Sequence, residues 1–266
     1  MSTADATFVA EREPASSGPT QRFGRIVVVG GGCYGGYYVR QLGRAERAGA
    51  VAWRELVVVD RDSRCAVERL PAGGRPPRMR VVVAEWRAFF AAYLAAASAD
   101  RPGADDAIVP SPLMPHLMAD WLVERARRRW PGRTIRVEPL QGPLPVPWQR
   151  AGEDGTHYAS FAEWMCPINC IEPARCPHTR GARDWSMPVA LRSYATAERD
   201  AGRAIESPLV FHCTHRAYGV GMIDVRDVLD ADATIAARGA AGPCSFLIGT
   251  VSHCHGALRR VTLAAP

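Results

Sequence analysis

The chain contains no lysine. It has 266 residues and a formal net charge of +6, and arginine supplies every one of its 33 Lys-or-Arg positions. A lysine Schiff base and the lysine of a phosphate-binding P-loop are therefore excluded. The densest basic stretch, Glu124–Trp130 (ERARRRW), predicts the solvated end of a helix, with an anion or nucleic-acid contact as the alternative. Since no recognisable nucleic-acid-binding motif accompanies it, we expect no nucleic-acid partner.

Long apolar runs and a secretory signal are also lacking. The longest apolar run, Ala88–Ala99, is too short to span a bilayer and predicts a core helix instead. Residues 1–23 have acidic residues early and no basic region before an apolar stretch, so we expect a disordered leader. Eight cysteines without a secretory signal indicate a reducing, cytoplasmic setting in which thiols stay free or bind metal.

A glycine-rich motif follows the first apolar strand. Residues 25–36 read RIVVVGGGCYGG, and Gly30, Gly32 and Gly35 match the dinucleotide-binding fingerprint G-x-G-x-x-G. The first glycine permits a tight turn, the second lets the backbone approach a pyrophosphate, and the third lets the following helix pack closely. The pyrophosphate would bind at the helix N-terminus, next to Cys33 and Tyr34 within the same loop.

An acidic residue ends the second apolar strand. Asp60 follows Leu56–Val59, where a carboxylate can hold the two ribose hydroxyls of NAD. Arg61 comes next, and it could stack on adenine or pair with the 2′-phosphate of NADP. The pattern favours NAD over NADP, and FAD also remains compatible with it.

Strands and helices continue to alternate up to residue 138. The pattern predicts strands at Met79–Val83, Ala107–Val109 and Thr134–Val137, and a helix capped by Ser111 with Pro112 at its first position. We therefore predict an α/β chain in which a Rossmann-like, doubly wound parallel sheet precedes a smaller mixed region rich in Cys and His. The predicted units are a leader (1–23), a dinucleotide-binding domain (24–138), a proline-rich linker (139–150) and a Cys/His-rich domain (151–266).

The first of these domains resembles the nucleotide-binding family of potassium-uptake regulators (TrkA-N). The resemblance rests on IVVVGGGCYG and on the VVVD that ends at Asp60, and it covers residues 24–138. It implies NAD(H) binding, with Gly30, Gly32 and Gly35 as the matching positions beside Asp60. The cysteine-rich second half departs from those regulators, so their regulatory role is not carried over with the fold.

Cysteines and histidines cluster in three short stretches of the second half. Cys166, Cys170 and Cys176 lie within the proline-rich segment CPINCIEPARCP, and the other two stretches are FHCTH (211–215) and VSHCHG (251–256). The repeated pairing of thiols with imidazoles predicts a metal site. The spacing matches neither zinc knuckles nor ferredoxin motifs, so an iron–sulfur cluster and zinc both remain open.

A closed metal site would need a fourth ligand, for which His178, Cys213 and Cys254 are the candidates. If residues 253–255 formed a strand, its alternation would place His253 and His255 on one face and Cys254 on the other. Those two histidines and Glu172 are the weak catalytic candidates, and Glu172 and Asn169 could also orient the metal ligands.

These features favour an NAD(P)-dependent, metal-containing oxidoreductase that acts on an unknown small molecule. Zinc pairs naturally with hydride transfer, whereas a one-electron cluster exchanges poorly with NAD in the absence of a flavin. The alternative is a nucleotide- or redox-sensing regulator of the TrkA-N type that contacts a protein partner, such as a transport protein. A third hypothesis is that the metal only stabilises an irregular second domain.

Overall fold

The computed structural model describes residues 19–100, 105–168, 170–203 and 205–265. Most of the predicted leader, residues 1–18, and Asn169 lie outside the described residues. The chain is mixed α/β, with two mixed sheets and helices on both sides of each. No helix among the described residues combines the length and the apolar composition that a bilayer span requires.

The first sheet has four parallel strands at one end and two antiparallel strands at the other. The strand order is β3-β2-β1-β4-β10-β9, with β10 antiparallel to both β4 and β9. The side chains of β1 and β2 alternate between two apolar cores, as expected for strands that are buried on both faces. The strands are β1 (Gln21–Val29), β2 (Val51–Asp60), β3 (Met79–Val83), β4 (Ala107–Val109), β9 (Thr214–Ala217) and β10 (Val220–Asp224).

The second sheet is built around a long antiparallel hairpin. Strand β12 pairs with β11 along its whole length on one side, and with β7 and then β5 on the other. Strand β8 pairs with β11 in parallel, and β6 extends the β7 edge. The strands are β5 (Ile135–Glu138), β6 (Trp148–Ala151), β7 (His157–Ser160), β8 (Leu209–His212), β11 (Cys244–Val251) and β12 (His255–Leu263).

Three helices lie between the sheets and two cover the outer faces. Helices α2, α3 and α5 share one apolar core with residues of both sheets, including Val27 of β1 and Phe246 of β11. Helix α1 packs on the other face of the first sheet, and α4 on the other face of the second. The helices are α1 (Cys33–Arg47), α2 (Trp86–Asp100), α3 (Leu117–Arg129), α4 (Met187–Asp200) and α5 (Val225–Ala241).

The predicted fifth parallel strand belongs to the other sheet. Residues 135–138 form β5, which pairs antiparallel with β12, whereas β9 and β10 from the second half complete the first sheet. The reason lies in the side chains: Ile135 is buried but Arg136 is exposed, so the segment cannot be covered on both faces. Each sheet therefore contains strands from both sides of the predicted linker at residues 139–150. Strand β6 begins inside that linker.

Several predicted boundaries also shift. Helix α3 starts at Leu117 rather than at Pro112, because Pro115 disfavours the helical conformation of the residue before it. The Ser111 hydroxyl instead accepts a hydrogen bond from the backbone N–H of Leu113. Gln21–Phe23, predicted as part of the leader, pair with β2. Residues 252–254 form the turn between β11 and β12, so the condition of a strand over residues 253–255 is not met.

Candidate functional site

The glycine loop, residues 30–35, joins β1 to α1. Gly30 adopts a φ of +86°, a conformation that favours glycine, and its N–H donates to the carbonyl of Val59. A Cβ on Gly35 would lie 1.9 Å from the carbonyl oxygen of Gly30, so only glycine allows this close approach. A Cβ on Gly32 would meet no atom within 4 Å. The loop therefore combines a tight turn, a close backbone contact and an open face.

Asp60 lies directly against this loop. One carboxylate oxygen accepts a 2.6 Å hydrogen bond from the N–H of Gly31, and the other accepts a 2.8 Å bond from the N–H of Asp62. Arg61 is exposed beside it. The first turn of α1 carries no acidic residue, and Gly32 provides no side-chain cap. The N-terminus of α1 is thus available to an anion. The Asp60 carboxylate lies next to it, because it binds the N–H of Gly31.

Trp86 adds an aromatic wall that sequence reasoning missed. Its indole N–H donates to the carbonyl of Val59 at 3.0 Å, and its ring lies 3.6 Å from the position of a Cβ on Gly30. The residue opens α2, three positions after β3 ends. An aromatic side chain at the carboxyl edge of a predicted parallel strand was the signal that could have found it.

The thiol loop, residues 164–185, folds as an irregular excursion between β7 and α4. Arg175 and Ala182 form an isolated antiparallel bridge, and the N–H of Cys176 donates to the carbonyl of Gly181. The Trp164 ring stacks on the imidazole of His178, with centroids 4.4 Å apart and planes 8° apart. His178 is thereby held at the surface of the loop.

The thiols of this loop lie in different electrostatic surroundings. Burial, followed by the nearby Cys170 thiol, raises the pKa of Cys166. The backbone N–H of Thr179 lowers the pKa of the buried Cys176, helped by the Thr179 hydroxyl and the N–H of His178. N–H donors aimed at sulfur favour the thiolate, the form that binds metals and reacts. The surroundings therefore favour the thiolate at Cys176 and disfavour it at Cys166.

Glu172 fixes the thiol loop to the β11–β12 turn. Its carboxylate accepts the backbone N–H groups of His253 at 3.0 Å and Cys254 at 3.1 Å. Burial alone would raise its pKa, but the Ser252 hydroxyl and these N–H groups lower it. The backbone of Glu172 adopts a φ of +51°, which is uncommon for residues other than glycine, asparagine and aspartate. The carboxylate is thus an ionised anchor rather than a free proton donor.

The histidine cluster comprises His212, His215 and His253, all near Glu172. The rings of His212 and His253 have centroids 4.8 Å apart, and Nδ1 of His215 lies 3.9 Å from the Glu172 carboxylate. Burial lowers the pKa values of His212 and His215, which favours neutral imidazoles near neutral pH. Nδ1 of His253 is buried without a hydrogen-bond partner among the described residues.

The other predicted candidates lie outside this cluster. His255 begins β12, and its Nδ1 lies 2.9 Å from the hydroxyl oxygen of Ser160. Cys254 is buried, and its sulfur accepts the indole N–H of Trp185 at 3.2 Å. Cys213 connects the two sheets between β8 and β9. Burial raises the pKa values of both Cys213 and Cys254 to about 12, so both thiols stay protonated.

Strand β9, which carries His215 of the histidine cluster, packs beside the helix that follows the glycine loop. On that helix, burial, followed by the Cys213 thiol, raises the pKa of Tyr38 to about 12. Nearby, the side-chain amide of Gln41 donates to the carbonyl of Tyr218 in the β9–β10 turn. The fold therefore brings β9 and the β9–β10 turn of the second half beside α1.

The predicted metal ligands do not form a complete set in this arrangement. All eight cysteines are free thiols. Among the described residues, no three His, Cys, Asp or Glu side chains converge on a point where they could hold a metal ion. Of the candidate fourth ligands, His178 is stacked on Trp164 and Cys254 is bonded to Trp185. A cysteine-ligated metal stays a prediction.

Comparison with curated proteins gives no match, and comparison with solved structures gives none either. One family model matches residues 118–264, which is more than half of the chain. The match begins in α3 and runs through the second sheet, the strands β9 and β10 and the histidine cluster. The chain therefore belongs to the AF_1314_C family, described as "Uncharacterized protein, C-terminal domain".

Proposed function

We propose that the protein binds a dinucleotide at the glycine loop and acts as an NAD(P)-dependent oxidoreductase. The observation that carries the proposal is the joint geometry of the loop: the turn at Gly30, the open face at Gly32, the close contact at Gly35 and the Asp60 carboxylate 2.6 Å from the N–H of Gly31. The parallel strand order β3-β2-β1-β4 supports a Rossmann-like assignment, because dinucleotide-binding halves use the same order.

Each of these residues has a defined task in the proposal. The free N–H groups at the start of α1 bind the pyrophosphate, and Asp60 accepts hydrogen bonds from ribose hydroxyls. Arg61 would contact the adenosine end, and FAD is accommodated by the same loop chemistry. The dinucleotide, when bound, supplies the hydride acceptor or donor.

The histidine cluster is the proposed place for a small-molecule substrate. His253 is a better candidate for proton transfer than His255, because its Nδ1 has no partner among the described residues whereas His255 is bonded to Ser160. Neutral imidazoles can accept a proton near neutral pH. Glu172 instead orients the turn that carries His253.

The alternative proposal is a nucleotide- or redox-sensing regulator with a protein partner, in a reducing, cytoplasmic setting. One observation favours it: the Glu172 carboxylate, on a residue at positive φ, and the Trp185 indole N–H both join the thiol loop to the β11–β12 turn. Zinc or an iron–sulfur cluster in that loop would serve either function, but the described ligands do not converge, so no step is assigned to a metal. Metal analysis and visible absorbance of anaerobically purified protein test this.

The proposal is tested by calorimetric titration of NAD, NADH, NADP and FAD into the wild type and into Gly32→Ala. The added methyl group meets no protein atom, so the melting temperature stays unchanged. It occupies the open face where the pyrophosphate would bind, so affinity falls by at least about tenfold, equivalent to about 1.4 kcal/mol.

Gly132→Ala is the matched control, because a Cβ there also meets nothing within 4 Å but lies far along the chain, after α3. It should retain wild-type affinity. Absence of dinucleotide binding by the wild type, or equal affinity of Gly32→Ala and wild type, contradicts the proposal. Dinucleotide binding without turnover of any carbonyl or alcohol substrate favours the regulator.

A further inference from the structure

A cavity of about 350 Å³ lies between α2, α3 and the second sheet. Small-molecule sites in proteins start near this volume, at roughly 300 Å³. None of its lining residues belongs to the glycine loop, the thiol loop or the histidine cluster. The cavity is therefore a separate feature, which the proposed function does not use.

The inner wall of this cavity is apolar. It is formed by Phe90 of α2, Leu117 and Trp121 of α3, and Val137 of β5. The first three side chains are almost fully buried, and each also packs into the core between the sheets. Such a wall accepts a hydrocarbon or aromatic body but provides no partners for the hydroxyls of a sugar.

Charge is concentrated at two places along the lining. At the inner end, Arg259 is buried and fully engaged, since its guanidinium donates to Asp120, Asp154 and Thr156. Its charge is therefore already neutralised by the protein.

At the outer end, Arg87, Arg127 and Arg128 are exposed and border the opening. Arg127 pairs with Glu124 at 3.1 Å, and Arg87 pairs with Asp120 at 3.0 Å. Arg128 forms neither a hydrogen bond nor an ion pair with any residue that the structure describes. The rim thus has positive charge in excess, and one guanidinium is available to an anion.

We propose that this cavity binds an amphipathic organic anion, with its apolar body against Trp121 and its carboxylate at the rim, between Arg87 and Arg128. A volume of about 350 Å³, at roughly 30 Å³ for each non-hydrogen atom by analogy with liquid water, accommodates about a dozen atoms. That number corresponds to a medium-chain carboxylic acid. Guanidinium groups bind a carboxylate with two parallel hydrogen bonds, which fixes the orientation of the chain.

The test is a calorimetric titration of sodium decanoate, kept below its micelle-forming concentration, into the full-length protein. The wild type should bind one decanoate per chain. The double variant R87Q/R128Q, which keeps the apolar wall, should weaken binding by about tenfold. Ala91→Phe, which projects a ring into the cavity from α2, should abolish binding while the circular dichroism spectrum remains that of the wild type.

The control variant R40Q/R47Q removes the same charge from exposed positions of α1, on the far side of the first sheet. It should bind decanoate as the wild type does. Hexanoate should bind more weakly than decanoate, because it buries less apolar surface. The proposal is overturned if the wild type shows no saturable binding, if the rim and control variants lose the same affinity, or if R87Q/R128Q and Ala91→Phe both bind normally.

Discussion

The glycine loop and the thiol loop differ in what holds them. Residues 30–35 are fixed by the backbone of the adjoining strands, and Asp60 reaches them from the end of the neighbouring parallel strand. The thiol loop depends instead on distant side-chain contacts: Glu172 accepts from the N–H groups of His253 and Cys254, and Trp185 donates to the Cys254 sulfur. A site built by local backbone geometry can be predicted from its sequence, whereas a site built by distant side-chain contacts cannot.

The largest expected effect tests the backbone contact. Gly35→Ala places a Cβ 1.9 Å from the carbonyl oxygen of Gly30, so α1 must shift away from the loop. We expect a loss of about 3 kcal/mol in the free energy of unfolding, the upper part of the range for overpacking. Urea unfolding followed by circular dichroism measures it.

The neighbouring glycine supplies the control. A Cβ on Gly36 comes no closer than 3.5 Å to any atom, which is an ordinary contact with Arg40. Because alanine favours the helix, Gly36→Ala should leave the stability unchanged or raise it by up to about 1 kcal/mol. Similar losses for the two variants would mean that the loop does not depend on the contact at Gly35.

The next effect tests the distant contact. Glu172→Gln replaces one of the two accepting carboxylate oxygens by an NH2 group, so a donor now faces one of the N–H groups of His253 and Cys254. A buried donor left unpaired costs about 1–3 kcal/mol. We therefore expect the free energy of local opening of the thiol loop to fall by about 2 kcal/mol. Hydrogen exchange should speed up over residues 164–185 and stay unchanged over α1.

Glu163→Gln is the matched control, because Glu163 is an exposed carboxylate in a segment adjoining the same loop. Its exchange pattern should equal that of the wild type. If Glu172→Gln leaves exchange of residues 164–185 unaltered, then the Trp185–Cys254 hydrogen bond, the Trp164–His178 stack and the local bridge hold the loop without Glu172.

The contrast explains how far the sequence could predict the fold. The parallel strands β1 to β4 were predictable because apolar runs such as Ile26–Val29 have no exposed face and glycines mark the turn that follows. The sheet to which residues 135–138 belong was not predictable. This strand, with Arg136 exposed, pairs with β12, which lies at the far end of the chain. Strand pairing at long separation is decided by tertiary packing rather than by local preference.

The candidate site shows the same division. The placement of Asp60 beside the glycine loop followed from strand length and spacing. The residues of the histidine cluster were predicted only in two separate stretches, FHCTH and VSHCHG, and their grouping around Glu172 depends on β8 and β11 ending side by side. Trp86 carried no motif, so only its position after a strand indicated a role.

The second half also contains an ion pair between residues that are close in sequence, Arg203 and Glu198. Its contribution to stability can be compared with that of the local contacts in the glycine loop. Arg203 donates two hydrogen bonds to the buried Glu198 carboxylate, at 2.6 and 2.9 Å, and lowers its pKa from 4.5. A lowered folded-state pKa contributes stability above pH 4.5 that is lost as the pH falls through the folded-state value. We expect Glu198→Gln to lose about 1 kcal/mol near neutral pH.

The pH series provides its own control, because protonated glutamate and glutamine are both neutral. Urea unfolding of the two proteins should therefore differ by a constant amount above pH 4.5 and converge below it. A difference that persists undiminished in acid would assign the loss to packing on the second sheet instead of to the charge.

The smallest effect distinguishes the two cofactors at the glycine loop. Arg61 is exposed and follows Asp60, so removing its side chain should leave the melting temperature unchanged. Arg61→Ala should weaken NADP binding by about threefold and leave NAD binding unaffected, because only NADP carries a 2′-phosphate for this exposed guanidinium to bind. Arg64→Ala, an exposed arginine three residues further on, is the control and should change neither affinity. Calorimetric titration of both cofactors decides the matter: equal losses for NAD and NADP would place the guanidinium on the adenine ring, which both cofactors share.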